Sequence, residues 1–207
     1  GATITIPEGT GPFPSVVLIT GSGAQNRDEE IAGHKSFAVI ADHLTRKGFV
    51  VLRVDDRGVG KSTGDFSKAT SLDFSHDVSS SFDYLLSRPE VDKKRAGLIG
   101  HSEGGMIAPM VAVSRKDISF IVLLAAPGVP IIELMAEQNE AIARSAGVSN
   151  KTLEEIKPLY RKVVNAILET ADSSSAITRT SQIIENWYVN KDKDVLDGFC
   201  YTGGFTV

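Results

Sequence analysis

The order of apolar segments constrains the fold of this chain more than any other feature of its sequence. Four short apolar runs alternate with three stretches whose apolar residues recur at helical spacing. The runs span residues 16–19, 49–54, 96–99 and 120–124. Runs of this length are typical of strands buried on both faces of a sheet. The alternation therefore predicts an α/β fold, with a mostly parallel sheet and flanking helices on both faces.

The pattern changes after Pro127, because no convincing strand follows up to about Asn190. Three helices are predicted there instead, over 131–146, 152–168 and 174–188. In the second of them Thr152 and Glu155 have the spacing of a capping box, and Pro158 should break or kink the helix. This block reads as a helical insertion on the sheet domain.

The predicted organisation has three parts. A sheet domain covers residues 1–127, a helical cap or lid covers 128–200, and the chain begins to return to the sheet at 201–207. The chain has 207 residues, which suits one domain with a small insertion.

Composition argues against some classes of partner. The formal net charge of −4 disfavours binding to nucleic acid or to an anionic membrane surface. No apolar run is long enough to span a bilayer, so we expect a soluble protein. Its compartment, bacterial cytoplasm or periplasm, stays open. The lone Cys200 gives no redox information, and no signal peptide is visible in a chain that begins at Gly1 rather than at a methionine.

The segment Gly100–Gly104 (GHSEG) matches the G-x-S-x-G pattern of a nucleophile elbow. The pattern alone is weak and fits any glycine-rich turn, but here a predicted strand precedes it and an apolar helix follows. We therefore predict that Ser102 is a catalytic serine on a strained strand-to-helix turn, for which Gly100 and Gly104 leave room. The N–H of Glu103, in the first turn of that helix, is a predicted donor to a developing oxyanion.

A second oxyanion donor is predicted in the turn Gly21–Gly23 (GSG), which follows the first buried run. Acyl transfer needs more than one N–H donor for the oxyanion, and a loop at the end of this strand can supply it. Either Ser22 or Gly23 can be that donor, and a plain tight turn is the alternative reading.

Two other kinds of site are disfavoured. The segment 58–62 (GVGKS) resembles a phosphate-binding loop, but the full pattern needs glycine where Asp55 stands. We interpret this loop instead as a hydrogen-bonded brace of the site.

The histidines show no metal-ligand spacing, so no metal or other cofactor is expected. His101 is expected to be structural, and His34 can line the pocket. The four histidines are His34, His43, His76 and His101.

These segments, taken together, resemble the α/β-hydrolase superfamily, and within it the bacterial esterases grouped with serine aminopeptidase-like hydrolases. The resemblance covers most of residues 2–128. It rests on four segments, which are 19–23 (ITGSG), 25–29 (QNRDE), 55–62 (DDRGVGKS) and 100–105 (GHSEGG). It implies a Ser-Asp/Glu-His triad, an oxyanion hole built from the glycine turn and the residue after the serine, and a helical cap between later strands. The chain departs from the family at Asn26, where aspartate is frequent.

The larger departure is that no histidine follows Ser102, although the triad order is serine, acid, histidine. No buried strand is predicted after Leu124 to carry the acid and the base. We therefore expect a fragment that lacks the last strands of the fold and exposes an unpaired sheet edge, so that homo-oligomers are possible.

The function predicted for the complete form is hydrolysis of small-molecule carboxylic esters through an acyl-enzyme on Ser102. Two alternatives stay open, a peptidase of short or N-blocked peptides and a non-catalytic hydrolase-like binding protein. Four apolar residues of the helical block are candidates to line an acyl pocket, although they equally suit the block's own core. They are Met135, Leu153, Tyr160 and Trp187.

Overall fold

The first part of the molecule is built around a five-stranded sheet. The computed structural model describes residues 1–189 and 191–201. Up to Pro127 the strands are β1 (Ala2–Thr5), β2 (Phe13–Ile19), β3 (Glu30–Ile31), β4 (His34–Lys35), β5 (Val50–Val54), β6 (Val91–His101) and β7 (Phe120–Leu124). The helices are α1 (Ser36–Arg46), α2 (Ser71–Leu86) and α3 (Gly104–Ser114), with a short 3-10 helix at Phe66–Lys68.

The sheet has the order β1-β5-β2-β6-β7. Strand β1 pairs antiparallel with β5, and all other pairs in this sheet are parallel. The mostly parallel sheet predicted from the apolar runs is therefore confirmed. The separate β3–β4 pair was not predicted, because strands of two residues carry no periodic signal.

Both faces of the sheet are covered, as the continuous apolar runs predicted. Along β2, Val17 and Ile19 pack in one buried cluster with residues of α2 and α3, including Phe82. The alternate residue Leu18 packs in a second cluster with Phe37 of α1. Successive side chains of a strand point to opposite faces, so α1 covers one face while α2 and α3 cover the other.

The prediction that the run at 120–124 is a fully buried strand was wrong. In β7 the side chains of Val122 and Leu123 are 40% and 45% exposed. The strand pairs with β6 on one side, and no other strand of the described residues lies along its second edge. An edge strand of this kind lacks the neighbouring elements that would cover its outer side chains.

A second compact unit begins at Gly128, and its described residues form helices joined by short loops, with no strand. Its helices are α4 (Ile131–Ser145), α5 (Asn150–Leu168), α6 (Ser173–Tyr188) and α7 (Lys193–Tyr201). Helix α5 packs against the other three, and the sequence analysis did not predict α7. The interpretation of this unit as a cap stays a prediction, and the predicted return to the sheet at 201–207 lies, after Tyr201, outside the described residues.

The capping prediction for α5 was wrong, and the predicted break at Pro158 is absent, while a kink there stays a prediction. Its N-terminal cap is Ser149, whose Oγ accepts the N–H of Thr152 at 3.2 Å, so Thr152 is the third helical residue and not the cap. Glu155 forms an ion pair with Lys191 instead of closing a capping box. Pro158 does not break the helix, which continues to Leu168 because its buried face packs against the neighbouring helices.

None of the described helices combines the length and apolar character needed to cross a membrane.

Candidate active site

The turn between β6 and α3 holds Ser102 in a strained backbone conformation. Its φ angle is +52°, in the left-handed region that non-glycine residues rarely adopt. The N–H of Ser102 donates to the carbonyl of Leu124 at 2.9 Å, which ties the turn to the end of β7. Helix α3 begins two residues later, at Gly104. The strained strand-to-helix turn expected of a nucleophile elbow is therefore present.

The glycines of this turn are required by close backbone packing. A methyl group at Gly100 would lie 2.0 Å from the carbonyl oxygen of Gly104. A methyl group at Gly104 would lie 2.3 Å from the carbonyl oxygen of Ile19 at the end of β2. Both distances are far shorter than a non-bonded contact between carbon and oxygen, so neither position accepts a side chain without moving the backbone. The close packing at Gly100 and Gly104 agrees with the role expected of elbow glycines, which stays a prediction.

The turn Gly21–Gly23 lies beside the serine. A methyl group at Gly21 would be 3.2 Å from Cβ of Ser102. The structure therefore brings together the two segments whose N–H groups were predicted to bind an oxyanion. Gly23 has a φ of +93°, a conformation that favours glycine in this turn.

The N–H groups in this region differ in availability. The N–H of Gly21 donates to Oε1 of Glu29 at 2.8 Å and is already engaged. The N–H groups of Ser22, Gly23 and Glu103 donate to no other group in the part of the chain that the structure describes. They can therefore serve a bound anion, although their assignment to an oxyanion hole stays a prediction.

A carboxylate at the end of β5 organises the loop that resembles a phosphate-binding segment. Asp55 accepts hydrogen bonds from the Arg27 side chain at 2.6 and 2.9 Å and from the N–H of Lys61 at 3.1 Å. The Arg27 guanidinium holds the pKa of Asp55 well below its usual range. A methyl group at Gly60 would lie 2.6 Å from Oδ2 of Asp55. The loop thus closes on a carboxylate of its own chain, and this role of Asp55 was not predicted from the sequence.

The neighbouring Asp56 connects the end of β2 to the segment that follows the glycine turn. Its two carboxylate oxygens accept the hydroxyl of Thr20 at 2.7 Å and the N–H of Gln25 at 2.9 Å. Burial raises the pKa of Asp56, because it disfavours the charged form, although both hydrogen bonds oppose that shift. Asp56 therefore helps to position the loop that contains the predicted oxyanion turn.

A cavity of about 330 Å³ opens beside the turn Gly21–Gly23 within the sheet unit. Its lining combines carboxylates with apolar side chains and includes Gly21, Gly23, Asp56, Phe74, Glu103 and Ile107. The Glu103 side chain accepts the hydroxyl of Ser71 at 2.7 Å, which ties the elbow to the first turn of α2. The lining of the cavity includes Glu103 of the elbow but not Ser102.

The histidines offer no base for Ser102 among the described contacts. His34, His43 and His76 are exposed, and His101 has its Nδ1 2.8 Å from Oε1 of Glu29. The structural role expected of His101 agrees with this contact. Among the described residues no group of three histidine, cysteine or acidic side chains is arranged to hold a metal ion.

Glu29 is a member of the site that the sequence analysis missed. It lies in a polar segment, 25–29, in which no spacing distinguishes one carboxylate from another. Only its burial and its contacts with Gly21 and His101 reveal it, and both depend on the folded chain.

The candidate pocket residues of the helical unit have mixed environments. Leu153 is buried within that unit, and burial raises the pKa of Tyr160. Met135 is 37% exposed, and the ammonium group of Lys191 lies 5.5 Å from the centroid of the Trp187 ring. A role for these side chains in lining a substrate pocket stays a prediction.

Comparison with protein families identifies the relatives of the chain. Residues 33–199 match the model of the Hydrolase_4 family, described as serine aminopeptidase, S33. The chain belongs to this family. The matched segment includes β5, β6 and the elbow at Ser102, and the resemblance inferred from the four sequence segments is confirmed.

Curated relatives of this Hydrolase_4 chain include an esterase and acyl-coenzyme A thioesterases. Esterase EstD of Thermotoga maritima is 34% identical over 163 residues, which cover 78% of this chain and 39% of the esterase. Mouse acyl-coenzyme A thioesterase 5 is 26% identical over 182 residues, covering 85% of this chain and 39% of that enzyme. The chain thus spans about 39% of the length of these curated relatives.

Solved structures confirm the α/β-hydrolase fold of this Hydrolase_4 chain. A hypothetical protein of Pseudomonas aeruginosa aligns with a TM-score of 0.55 at 18% identity, covering 86% of this chain and 56% of that one. Est1E of Butyrivibrio proteoclasticus, solved with ferulic acid bound, aligns with a TM-score of 0.52 at 22% identity, covering 68% and 52%. Identities this low establish the fold alone.

Proposed function

We propose that this chain is the nucleophile-bearing part of a serine hydrolase that cleaves small-molecule carboxylic esters. The observation that carries the proposal is the position of Ser102. It is held at a φ of +52° between the end of β6 and the start of α3, and Gly21 is its close neighbour. A strained turn that presents a hydroxyl beside free N–H groups suits nucleophilic attack on a carbonyl carbon.

In the proposed mechanism the Ser102 Oγ attacks the ester carbonyl and expels the alcohol, which leaves an acyl-enzyme. Water then attacks the acyl group and releases the acid together with the free serine. The N–H groups of Glu103 and of Ser22 or Gly23 stabilise the oxyanion in both steps. This chemistry requires no metal or other cofactor.

The serine also needs a base, because a hydroxyl is a weak nucleophile at its free pKa. No histidine stands between Glu103 and Val207. We propose that the base and its acidic partner are supplied from outside this 207-residue sequence, which spans about 39% of the length of its curated relatives. We also propose that the helical unit from Gly128 acts as the cap of the complete enzyme.

The names of the relatives support an ester substrate. EstD is an esterase, and the two mouse relatives are acyl-coenzyme A thioesterases, so each carries a name that denotes cleavage of an acyl bond to oxygen or sulfur. An acyl-enzyme on one serine can serve either leaving group.

The test is covalent labelling of the full-length protein with a fluorophosphonate, followed by mapping of the adduct. We expect one adduct at Ser102, no adduct in Ser102→Ala, and unchanged labelling in the control Ser114→Ala, an exposed serine at the far end of the same helix α3. Labelling at another residue, or none in a folded full-length protein, would refute the assignment.

A peptidase is the second candidate, and the family description as a serine aminopeptidase favours it specifically. The two activities share the elbow and the oxyanion donors, so these features do not separate them. A panel of p-nitrophenyl esters and aminoacyl anilides, assayed with the full-length protein, discriminates between them. We expect kcat/KM to be higher on the esters than on the anilides; preferential cleavage of the anilides would replace the esterase proposal with the peptidase.

A further inference from the structure

One buried carboxylate lies between the two segments of the candidate site. Glu29 is 2% exposed and has a φ of +47°, so it is held in a backbone conformation that glutamate rarely adopts. Its Oε1 atom accepts the N–H of Gly21 at 2.8 Å and contacts Nδ1 of His101 at 2.8 Å. In the tautomer that carries its proton on Nδ1, His101 donates to this oxygen, and Oε1 of Glu29 then accepts both hydrogen bonds.

The two residues that Glu29 contacts directly precede, in the sequence, a predicted oxyanion donor and the predicted nucleophile. Gly21 precedes Ser22 in the predicted oxyanion turn, and His101 precedes Ser102 in the elbow. A single oxygen atom therefore connects the end of β2 to the end of β6 at the place where the nucleophile and the oxyanion donors must meet.

The segment that carries Glu29 is fixed at several points. The carbonyl of Asn26 accepts the N–H of Glu29 at 2.9 Å, and Oδ1 of Asn26 accepts the N–H of Asp28, also at 2.9 Å. Arg27 is bound by Asp55, and the carbonyl of Asp28 accepts the N–H of the buried Phe37 at 3.0 Å. These contacts leave the Glu29 carboxylate little freedom to move, which a residue that sets the position of others requires.

We propose that Glu29 is a positioning residue that sets the distance between Ser102 and the N–H donors of the glycine turn. This inference rests on the proposed hydrolase function. Glu29 acts through Gly21 and His101 and does not itself contact the substrate. Its contribution is realised in the transition state, when the oxyanion forms, and therefore falls on kcat and not on KM.

The contacts also predict which substitutions preserve this role. Both hydrogen bonds end on one oxygen, so the amide oxygen of glutamine can accept them without a charge. Glu29→Gln should therefore retain activity. Aspartate is shorter by one methylene group and alanine has no acceptor, so Glu29→Asp and Glu29→Ala should lose the connection.

The experiment measures kcat and KM of the full-length protein on a p-nitrophenyl ester for these three variants. It also measures inhibition by a trifluoromethyl ketone, which forms an oxyanion adduct with a reactive serine.

For Glu29→Ala and Glu29→Asp we expect kcat to fall on the order of 10- to 100-fold, as displacement of catalytic groups typically causes. KM should be nearly unchanged, and the ketone should inhibit these variants more weakly. Glu29→Gln should stay within about threefold of the wild type in both measurements, since its hydrogen bonds persist. The control Glu30→Ala, at an exposed neighbour, should behave as the wild type.

Wild-type kinetics in folded Glu29→Ala would overturn the inference while leaving the esterase proposal intact. A defect in Glu29→Gln as large as that in Glu29→Ala would also overturn it, because charge and not hydrogen bonding would then be responsible. If Glu29→Ala does not fold, the Glu29→Asp and Glu29→Gln pair decides in the same way. A full-length wild type that neither hydrolyses esters nor reacts with the fluorophosphonate would remove the proposed function and this inference together.

Discussion

At the scale of single residues, the candidate site is defined by main-chain geometry more than by side chains. Ser102 is strained, and Gly100 and Gly104 have no room for a side chain. The predicted oxyanion donors are backbone N–H groups, so no replacement at Ser22 or Glu103 other than proline removes them. The glycines that permit the close approach are therefore more informative targets than the donor residues.

Gly100→Ala tests this view of the elbow. The new methyl group would lie 2.0 Å from the carbonyl oxygen of Gly104, so the turn must shift. We expect a loss of stability of about 1–3 kcal/mol, as for other overpacked sites, and at least a tenfold fall in the rate of fluorophosphonate labelling of the full-length protein. The matched control is Gly128→Ala, where a methyl group meets no atom within 4 Å. Wild-type labelling of Gly100→Ala would contradict the geometry given for the turn.

Site residues could be predicted from the sequence where consecutive residues specify them. The elbow could be predicted because five consecutive residues, Gly100–Gly104, specify it. Glu29 could not be predicted, because its partners Gly21 and His101 lie 8 and 72 positions away and only the sheet brings them together. The absence of a base was equally plain, since it needs only a search for histidine after Ser102.

At the scale of elements, loops at the carboxyl ends of β2 and β5 hold one another in place through buried charge. Asp55, at the end of β5, binds both Arg27 and the N–H of Lys61, and its side chain is 4% exposed. The site is therefore supported by an ion pair on which two loops depend.

Asp55→Asn should destabilise the protein by about 3 kcal/mol at neutral pH, because it leaves Arg27 without its counter-charge. This is the lower end of the range for buried pairs, since a fifth of the Arg27 side chain remains exposed. Urea unfolding monitored by circular dichroism measures the change. The control is Asp42→Asn, whose exposed pair with Arg46 should contribute little.

The same pair gives the pH dependence a definite sign. The pKa of Asp55 is lower in the folded state than its ordinary value of 3.8, so its stabilising contribution is complete above that value. The contribution is lost progressively as pH falls below about 4 toward the folded pKa. The stability difference between wild type and Asp55→Asn should therefore be smaller at pH 3 than at pH 6. An equal difference at both values would show that the charge of Asp55 is not responsible.

Secondary structure was more predictable than the details within it. Helical periodicity located α4, α5 and α6, but it misplaced the cap of α5, because Ser149 and Thr152 are both acceptable cap residues. The break expected at Pro158 is absent, because the packing of α5 against its neighbours outweighs one local defect.

At the scale of the whole molecule, the sheet ends in an edge that is apolar and open. Strand β7 pairs only with β6 in the described part of the chain, and Val122 and Leu123 are substantially exposed. Edges of this kind offer unpaired N–H and carbonyl groups to other strands. The apolar run at 120–124 predicted the strand but not its position at the edge, which depends on how many strands follow it.

We expect the 207-residue chain to self-associate through β7. Val122→Lys should reduce this association, because a lysine on an edge strand opposes pairing with a second copy. Sedimentation velocity over a range of protein concentrations measures the effect. Val113→Lys is the control, since Val113 is 91% exposed but lies on helix α3. Association that responds equally to both substitutions would assign it to general surface hydrophobicity and not to the strand edge.

The Asp55 carboxylate, which lies against the 58–62 loop, affects how segment 55–62 compares with the nucleotide-binding pattern. Residues 55–62 read DDRGVGKS, and one change, Asp55→Gly, would complete a nucleotide-binding signature letter for letter. The same change would remove the group that occupies the loop and joins it to Arg27. A single substitution thus separates the two interpretations of the segment. The variant that matches the nucleotide-binding pattern is the one that lacks the contacts of Asp55 with Arg27 and with the N–H of Lys61.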